Sequence, residues 1–364
     1  MEVGSLRKAP FLTRDARRSA SSAWEWGRRL GVSGYKSLVH GILAGSLKED
    51  ELLDWASVYG LRFFESAGLD VIYDGEARRS EMYEYPIRRI RGFVFRGLVR
   101  VWDNEYYLKA AVTSPPTIET PYHLDEFLFN KNHTSKPLKI PVTGPYTLAD
   151  WSFDEYYIRR RRGENPLEVR RMAKRDMVMD LARNVIAPTV RALVANGATH
   201  IQLDEPAAAA KHEEVGLVVE AVNEVVGGLQ SELTVHICYT DYGALLPDLL
   251  EMKISNLSIS CSNADTLNPG LDPSARRGFK VLELFKEYGA GFRIAPGAVD
   301  VHTDFVEPPE LVRDRLIYSA KVMSDPWKII ACNDCGLRTR SWDVAYQKQV
   351  NLVRGAEMAR SALG

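Results

Sequence analysis

Residues 200–238 read HIQLDEPAAAAKHEEVGLVVEAVNEVVGGLQSELTVHIC and contain two short apolar runs with a helical pattern between them. The runs cover residues 200–203 and 233–237, and each leads into polar or sulfur-containing side chains. Residues 213–226 instead repeat apolar side chains at three- and four-residue steps, the period of a helix. A short strand, a helix and a second short strand predict a βα unit whose strands are parallel.

The same alternation continues along most of the chain. Predicted strands at residues 138–142, 200–203, 233–237, 257–259, 292–294 and 328–331 are each followed by a helical pattern. Val3 and residues 69–73 supply two further strand candidates, which makes eight. Eight strands alternating with helices favour a closed (β/α)8 TIM barrel over an open sheet.

Three finer features accompany this barrel. Apolar stretches on both sides of Asp103-Asn104 predict a β-hairpin insertion after the second strand. Residues 170–196 read as one long helix that Pro188 should kink or divide, and residues 244–251 read as another helix. No linker rich in Gly, Ser or Pro divides the sequence, so we expect a single domain over residues 1–364.

Composition excludes several classes of protein. Hydrophobic residues make up 45% and charged residues 26%, as in an ordinary globular protein. The 47 basic and 48 acidic residues give a net charge of -1, which argues against a nucleic-acid partner. No apolar stretch approaches the ~20 residues that span a bilayer, and the first residues lack the apolar core of a signal peptide. We therefore expect a cytoplasmic enzyme that does not act at a membrane.

Two of the predicted strand ends carry potential metal ligands. His236 and Cys238 are two residues apart at one strand end, so their side chains share a face, and Cys335 follows the last strand. Imidazole and thiolate are zinc ligands, and three protein ligands leave a coordination position open for catalysis. The alternative is that these residues have a buried structural role.

The other two cysteines leave further alternatives open. Cys261 also lies at a strand end and could be a fourth ligand. Cys332 and Cys335 form a C-x-x-C sequence, which occurs in redox pairs and in structural zinc sites. A second C-x-x-C is absent and no thioredoxin-like pattern surrounds this one, so neither reading is favoured, and we expect a structural role for Cys332.

Polar side chains at the other strand ends are candidates for binding substrate. Glu76, Asp204 and Glu205 would either cap helices or bind a cationic group such as the ammonium of an amino acid. His302 follows Pro296-Gly297 and could donate a proton, although a lone histidine in a loop is more often a surface residue.

Seven segments, taken in order, resemble the catalytic barrel of the cobalamin-independent methionine synthases, and most closely the short versions that consist of that barrel alone. The segments are Val3-Gly4-Ser5; Asp74-Gly75-Glu76 with residues 82–85; Thr143-Gly144-Pro145 with Trp151-Ser152-Phe153; Leu203-Asp204-Glu205-Pro206; His236-Ile237-Cys238-Tyr239; residues 296–302; and residues 333–340. The resemblance implies a zinc-dependent methyltransferase that methylates the thiol of homocysteine and releases methionine.

The resemblance also assigns a role to individual positions. His236, Cys238 and Cys335 would bind zinc; Gly4 and Ser5 would hold the carboxylate of homocysteine; Glu76 and Asp204 would bind its ammonium group; His302 would be the acid near the departing group; and Trp151 would form a wall of the methyl-donor site.

Two departures from the family pattern limit these assignments. The position of the family's fourth zinc ligand, a glutamate, is Ser260 here, and we expect the adjacent Cys261 to replace it, with water or substrate as the alternative. Ala111 and Ala210 stand where the family has folate-contacting residues. We therefore expect methylcobalamin or a methylated corrinoid protein, rather than methyl-folate, as the donor.

Other functions and features remain as alternatives. The same chemistry could act on another thiol such as coenzyme M, although that thiol has no ammonium group for Glu76 and Asp204 to bind. The change to Ser260 could also mark a catalytically inactive homologue. The run Arg159-Arg160-Arg161-Arg162 is typical of a solvated loop, and the alternative is a docking patch for an acidic corrinoid protein.

Overall fold

The computed structural model of the protein describes residues 1–102, 105–163 and 165–364. Its α-helices are α1 (Ala16–Arg29), α2 (Tyr35–Ala44), α3 (Glu49–Ala67), α4 (Glu84–Ile87), α5 (Leu124–Lys131), α6 (Pro145–Asp150), α7 (Tyr157–Arg160), α8 (Pro166–Leu181), α9 (Ala187–Ala195), α10 (Val215–Val226), α11 (Val281–Glu287), α12 (Pro309–Met323) and α13 (Trp342–Leu363). Its strands are β1 (Arg91–Trp102), β2 (Glu105–Thr117), β3 (Lys139–Thr143), β4 (Phe153–Asp154), β5 (His200–Asp204), β6 (Glu232–Ile237), β7 (Asn256–Ile259) and β8 (Arg293–Pro296). None of the helices described is both long and apolar enough to cross a membrane.

The strands form two sheets. The larger sheet has the order β3-β5-β6-β7-β8, and β5 pairs with β6 in parallel. The smaller sheet has the order β1-β2-β4, in which β1 is antiparallel to β2 and β2 is parallel to β4. The expected mixed α/β fold with a parallel sheet is confirmed. The residues at the predicted hairpin turn, Asp103-Asn104, lie outside the described residues, and the hairpin insertion stays a prediction.

The chain divides into two compact units. The first consists of Met1–Arg78, Leu128–Lys139 and Ser258–Gly364, and the second consists of Arg79–Phe127 and Ile140–Leu257. The expectation of one domain over residues 1–364 is therefore still a prediction.

In the first unit, short backbone pairings mark three of the strands predicted from sequence. Ile72 bridges in parallel to Leu138, and Ile329 bridges in parallel to Ile294. The amide of Glu2 donates to the carbonyl of Val71 at 3.4 Å, beside Val3, whose side chain is buried. These pairings agree with the predicted strands at residue 3, 69–73 and 328–331, although each is too short to form a regular strand.

In the second unit, Pro188 divides the long helix as predicted. α8 ends at Leu181, a π-helical turn covers Ala182–Ile186, and α9 begins at Ala187 with Pro188 in its first turn. A proline has no amide hydrogen and clashes with the preceding turn, so the regular α-helical pattern cannot continue through it.

The helix predicted at residues 244–251 is wrong. Two 3-10 helices, Tyr242–Leu245 and Asp248–Glu251, stand there instead, on either side of Leu246-Pro247. The residue before a proline avoids helical backbone angles, so this sequence favours two separate turns.

A buried carboxylate fixes the start of α6 in the second unit. Glu205 accepts hydrogen bonds from the amides of Tyr146 at 3.1 Å and Thr147 at 2.8 Å, and from the Thr147 hydroxyl at 2.7 Å. Burial raises the pKa of Glu205 to about 7, against the opposing effect of these hydrogen bonds. Glu205 therefore satisfies helix N-terminal amides, the structural alternative in the sequence analysis.

Gly144 precedes α6 and leaves space for this carboxylate, because an added Cβ would overlap the Glu205 carboxyl group. Its backbone angles, φ -73° and ψ 159°, suit any residue, so the constraint is steric. We expect Gly144→Ala to lower the free energy of unfolding in urea by about 2–3 kcal/mol, because the carboxylate loses its amide partners.

The matched control for this substitution is Gly216→Ala in α10, where an added Cβ meets nothing within 4 Å. This change should leave stability unchanged or raise it by about 0.5 kcal/mol, because alanine favours the helix. Equal effects of the two substitutions would contradict the steric explanation.

Candidate metal centre

The end of β6 carries two of the predicted ligands, both in the second unit. His236 is the penultimate residue of β6 and is 4% exposed, and its carbonyl accepts a hydrogen bond from the Glu205 amide at 3.0 Å. Cys238 follows β6 directly and is half-buried. Tyr239, the next residue, has a φ of 55°. A non-glycine residue in this left-handed region is uncommon and marks a sharp turn of the chain immediately after Cys238.

Cys335 belongs to the first unit and is half-buried. It comes three residues after Cys332, which bridges in parallel to Gly297. The amide of Asp334 donates to the carbonyl of Val299 at 3.0 Å, so the backbone is paired up to the residue before Cys335.

His236, Cys238 and Cys335 form a group that could hold a metal ion, because their ligand atoms all lie within 4.8 Å of one another. Tetrahedral zinc with bonds of about 2.0–2.3 Å places its ligand atoms about 3.3–3.8 Å apart, so a small side-chain movement would close the site. One imidazole and two thiol groups are donors that zinc prefers. The residues therefore fit a zinc ion.

The group does not include Cys261, although this residue is described. Cys261 is fully buried in the first unit, and burial raises the pKa of its thiol well above the ordinary value. The expectation that Cys261 is a fourth ligand thus gains no support from this geometry.

Cys332 is a core residue, in agreement with the expected structural role. It packs with Val3 and Ala295 in a buried cluster, and its thiol donates to the carbonyl of Ala295 at 3.2 Å. Burial raises the pKa of the Cys332 thiol to about 11. The C-x-x-C sequence therefore combines one core cysteine with one candidate ligand.

The residues expected to bind the homocysteine carboxylate lie next to Cys335 along the chain and in space. An added Cβ on Gly336 would lie 2.8 Å from the amide nitrogen of Ser5 and 2.9 Å from its hydroxyl. An added Cβ on Gly4 would lie 3.5 Å from a carboxylate oxygen of Glu76. The first unit therefore brings Gly4, Ser5 and Glu76 together beside the residue that follows Cys335.

Glu76 has a backbone conformation that proteins rarely use. Its φ is 60°, and its amide donates to the Asp74 carboxylate at 2.9 Å. Left-handed angles at a non-glycine residue are found where the surrounding structure imposes them, often at binding sites.

In the second unit, Asp204 lies beside a candidate metal ligand. It is the last residue of β5 and pairs in register with His236 on β6. The Gln202 side chain donates to the Asp204 carboxylate at 2.6 Å, which fixes the orientation of that carboxylate.

Trp151 lies in an aromatic cluster that the sequence did not reveal. The rings of Tyr83 and Tyr107 lie 6.3 and 6.2 Å from the ring of Trp151. The Tyr107 hydroxyl donates to the Trp151 carbonyl at 3.1 Å, and the Tyr83 hydroxyl is 2.8 Å from the Ser152 hydroxyl. Tyr83 lies within a motif segment, but no sequence signal identifies Tyr107.

His302 lies on an exposed loop, where its amide donates to the Asp300 carboxylate at 2.8 Å. It is not part of the candidate metal group. The expected role of His302 as an acid therefore stays a prediction.

The arginine run largely behaves as the solvated segment favoured from sequence. Arg159, Arg160 and Arg162 are exposed, whereas Arg161 forms an ion pair with Asp176 at 2.5 Å. Nothing in these contacts supports a docking role for the run.

Comparisons with known proteins agree on a family. The family described as "Cobalamin-independent synthase, Catalytic domain" matches residues 48–358. A methionine synthase of Thermoplasma acidophilum is 38% identical over 318 residues, which cover 84% of this chain and 89% of the relative. A methionine synthase of Saccharolobus solfataricus is 37% identical over 326 residues, which cover 88% of this chain and 89% of the relative.

A solved structure is also similar. A B12-independent methionine synthase from Shewanella sp. W3-18-1, in complex with selenomethionine, superimposes with a TM-score of 0.72 at 25% sequence identity. The match covers 87% of this chain and 91% of the other.

We expect Cys335→Ser to abolish zinc retention, because the remaining two ligands cannot hold the ion in place of three. Zinc would be measured by mass spectrometry after purification and dialysis. Cys261→Ala is the matched control, since it removes a buried cysteine of the same unit that lies outside the group. Zinc loss in the control alone would instead identify Cys261 as a ligand.

Proposed function

Because the chain belongs to the cobalamin-independent methionine synthase family, we propose that it is a methyltransferase that methylates the thiol of homocysteine and forms methionine in a zinc-dependent reaction. The observation that carries this proposal is the convergence of His236, Cys238 and Cys335. A zinc-dependent thiol methylation needs ligands of this kind, because imidazole and thiolate groups bind zinc.

The chemistry requires the substrate sulfur as a thiolate. A free thiol has a pKa near ~8.5 and is mostly protonated at neutral pH. A zinc ion held by His236, Cys238 and Cys335 would favour the thiolate of a thiol placed at its open position. The sulfur then forms a bond to the methyl carbon while the bond between methyl and donor breaks, and the electron pair of that bond leaves with the donor.

Four residues would orient homocysteine for this step. Ser5 and the backbone at Gly4 would hold its carboxylate, and the carboxylates of Glu76 and Asp204 would hold its ammonium group. Gly4 and Glu76 lie close together, which supports neighbouring positions for the bound carboxylate and ammonium groups. Asp204 pairs in register with His236, which supports a position for Asp204 beside a proposed zinc ligand. Holding both groups on the α-carbon of homocysteine leaves its sulfur few orientations, which favours reaction.

The family and the solved relative argue against the donor expected from sequence. The family is called cobalamin-independent and the solved relative B12-independent, so methylcobalamin and a corrinoid protein partner are not supported. We propose that Trp151, with Tyr83 and Tyr107, forms a wall against which a flat donor stacks. His302 would protonate the departing group of such a donor.

The proposal includes the finer fold expected from sequence, a closed (β/α)8 barrel. The bridges at Ile72, Ile329 and Cys332 extend the parallel pairing beyond the five-stranded sheet. The TM-score of 0.72 to the solved synthase also supports it.

We expect Glu76→Gln to raise the KM for homocysteine about 10- to 100-fold, because an amide attracts an ammonium group more weakly than a carboxylate does. Zinc content should stay at the wild-type level. Glu84→Gln is the control, since Glu84 forms a partly exposed ion pair with Arg88. An unchanged KM in Glu76→Gln would remove this residue from the substrate site.

We expect the zinc-loaded protein to form methionine from homocysteine in a reaction free of cobalamin. The assay would compare methyl-tetrahydrofolate with methylcobalamin as donors and would quantify methionine and zinc in the same sample. Methionine formed only with methylcobalamin would restore the corrinoid donor. A zinc-loaded protein that methylates coenzyme M but not homocysteine would contradict the proposed substrate.

A further inference from the structure

Asp334, the residue immediately before Cys335, is a fully buried carboxylate in the first unit. One of its oxygens accepts hydrogen bonds from the amides of Cys261 at 2.7 Å and Ser262 at 2.9 Å. The other oxygen accepts a hydrogen bond from the amide of Asn263 at 2.7 Å. Three backbone amides of one turn therefore donate to the two oxygens of this single side chain.

The turn formed by residues 261–263 is also bound to Gly297, which follows strand β8. The Ser262 hydroxyl donates to the carbonyl of Gly297 at 2.6 Å, and the amide of Gly297 donates to the carbonyl of Ile259 at 2.8 Å. An added Cβ on Gly297 would overlap the Asp334 carboxylate, so the packing around this group leaves no free space. We call Asp334, Gly297 and residues 261–263 the carboxylate clasp.

We infer that Asp334 is a positioning residue for the proposed metal centre: it binds the turn at residues 261–263 and thereby fixes the backbone from which the Cys335 thiol projects. This inference rests on the proposed function, in which Cys335 is a ligand. Groups that hold a metal ligand in place commonly change metal affinity by about 10- to 100-fold when they are removed.

The clasp engages residues 261–263 through their backbone amides. The amides of Cys261 and Ser262 are committed to Asp334, and the Cys261 thiol is fully buried. The turn therefore contributes through its backbone, by fixing the residue before Cys335, instead of supplying a side-chain ligand.

The decisive variant is Asp334→Asn, which keeps the shape of the side chain. An amide has one acceptor oxygen, and its NH2 group would face an amide donor of the turn. We expect zinc affinity, measured by competition with a chromophoric chelator, to fall about 10- to 100-fold. We also expect the absorption spectrum of the cobalt-substituted protein to change, because the thiolate geometry changes.

The matched control is Asp314→Asn. Asp314 is also buried in the first unit and accepts a hydrogen bond from the Gly270 amide at 2.7 Å, but the clasp does not include it. We expect this variant to lose thermal stability and to keep the wild-type zinc affinity and cobalt spectrum. The inference would be overturned if Asp334→Asn bound zinc as tightly as the wild type. It would also be overturned if Asp334→Asn and Asp314→Asn lost zinc affinity equally.

A second measurement uses the wild type and does not depend on whether a variant folds. Zinc loading should slow amide hydrogen exchange in a peptide covering residues 258–265, because ordering Cys335 also orders the clasp. The same experiment on Cys261→Ala excludes direct coordination as the cause. Unchanged exchange in this peptide, with slower exchange around residues 332–336, would overturn the inference.

Failure of the proposed function gives a different result. In that case the wild type would bind zinc no more tightly than Cys335→Ser. Tight wild-type binding that needs Cys335 but not Asp334 would contradict only the role of the clasp.

Discussion

The ligand atoms of His236, Cys238 and Cys335 lie within 4.8 Å of one another, although Cys335 is distant along the chain from the other two, and the proposed function depends on this approach. The positions of these three side chains depend on the backbone segments that carry them. Regular β-pairing places His236 beside Asp204, and the chain turns sharply at Tyr239 directly after Cys238. Directly before Cys335, the Asp334 amide pairs with the carbonyl of Val299, and the Asp334 side chain accepts hydrogen bonds from the turn at residues 261–263.

Buried carboxylates provide this support at two strand ends. Glu205 binds the amides that begin α6, and Asp334 binds the amides of the turn at residues 261–263. In both cases the acid comes directly beside a residue with a proposed role, Asp204 or Cys335, and it faces backbone donors instead of a ligand. In each pair of neighbouring residues, one side chain has a proposed role in the site, and the other binds backbone amides.

Regular elements were predictable because their signals are local. The helices at Pro309–Met323 and Trp342–Leu363 and the division of the long helix at Pro188 follow from periodicity and from the chemistry of proline. The sequence also singled out the three residues that form the candidate metal group. It could not show that Tyr107 lies beside Trp151, because a tertiary hydrogen bond brings the two residues together. It also could not show that the candidate group lacks Cys261, whose side chain is buried. The prediction of one helix over residues 244–251 is wrong because Pro247 disfavours helical backbone angles at Leu246, despite the apolar spacing.

The close packing of Gly336 against Ser5 has a consequence for selectivity in the proposed reaction. The groups expected to hold the substrate's carboxylate and the cysteine expected to face its sulfur sit on adjoining pieces of tightly packed main chain. The close packing at Gly336 fixes the distance between the main-chain segments that carry these groups. In the proposed reaction, the length of the thiol substrate would therefore have to match this main-chain spacing.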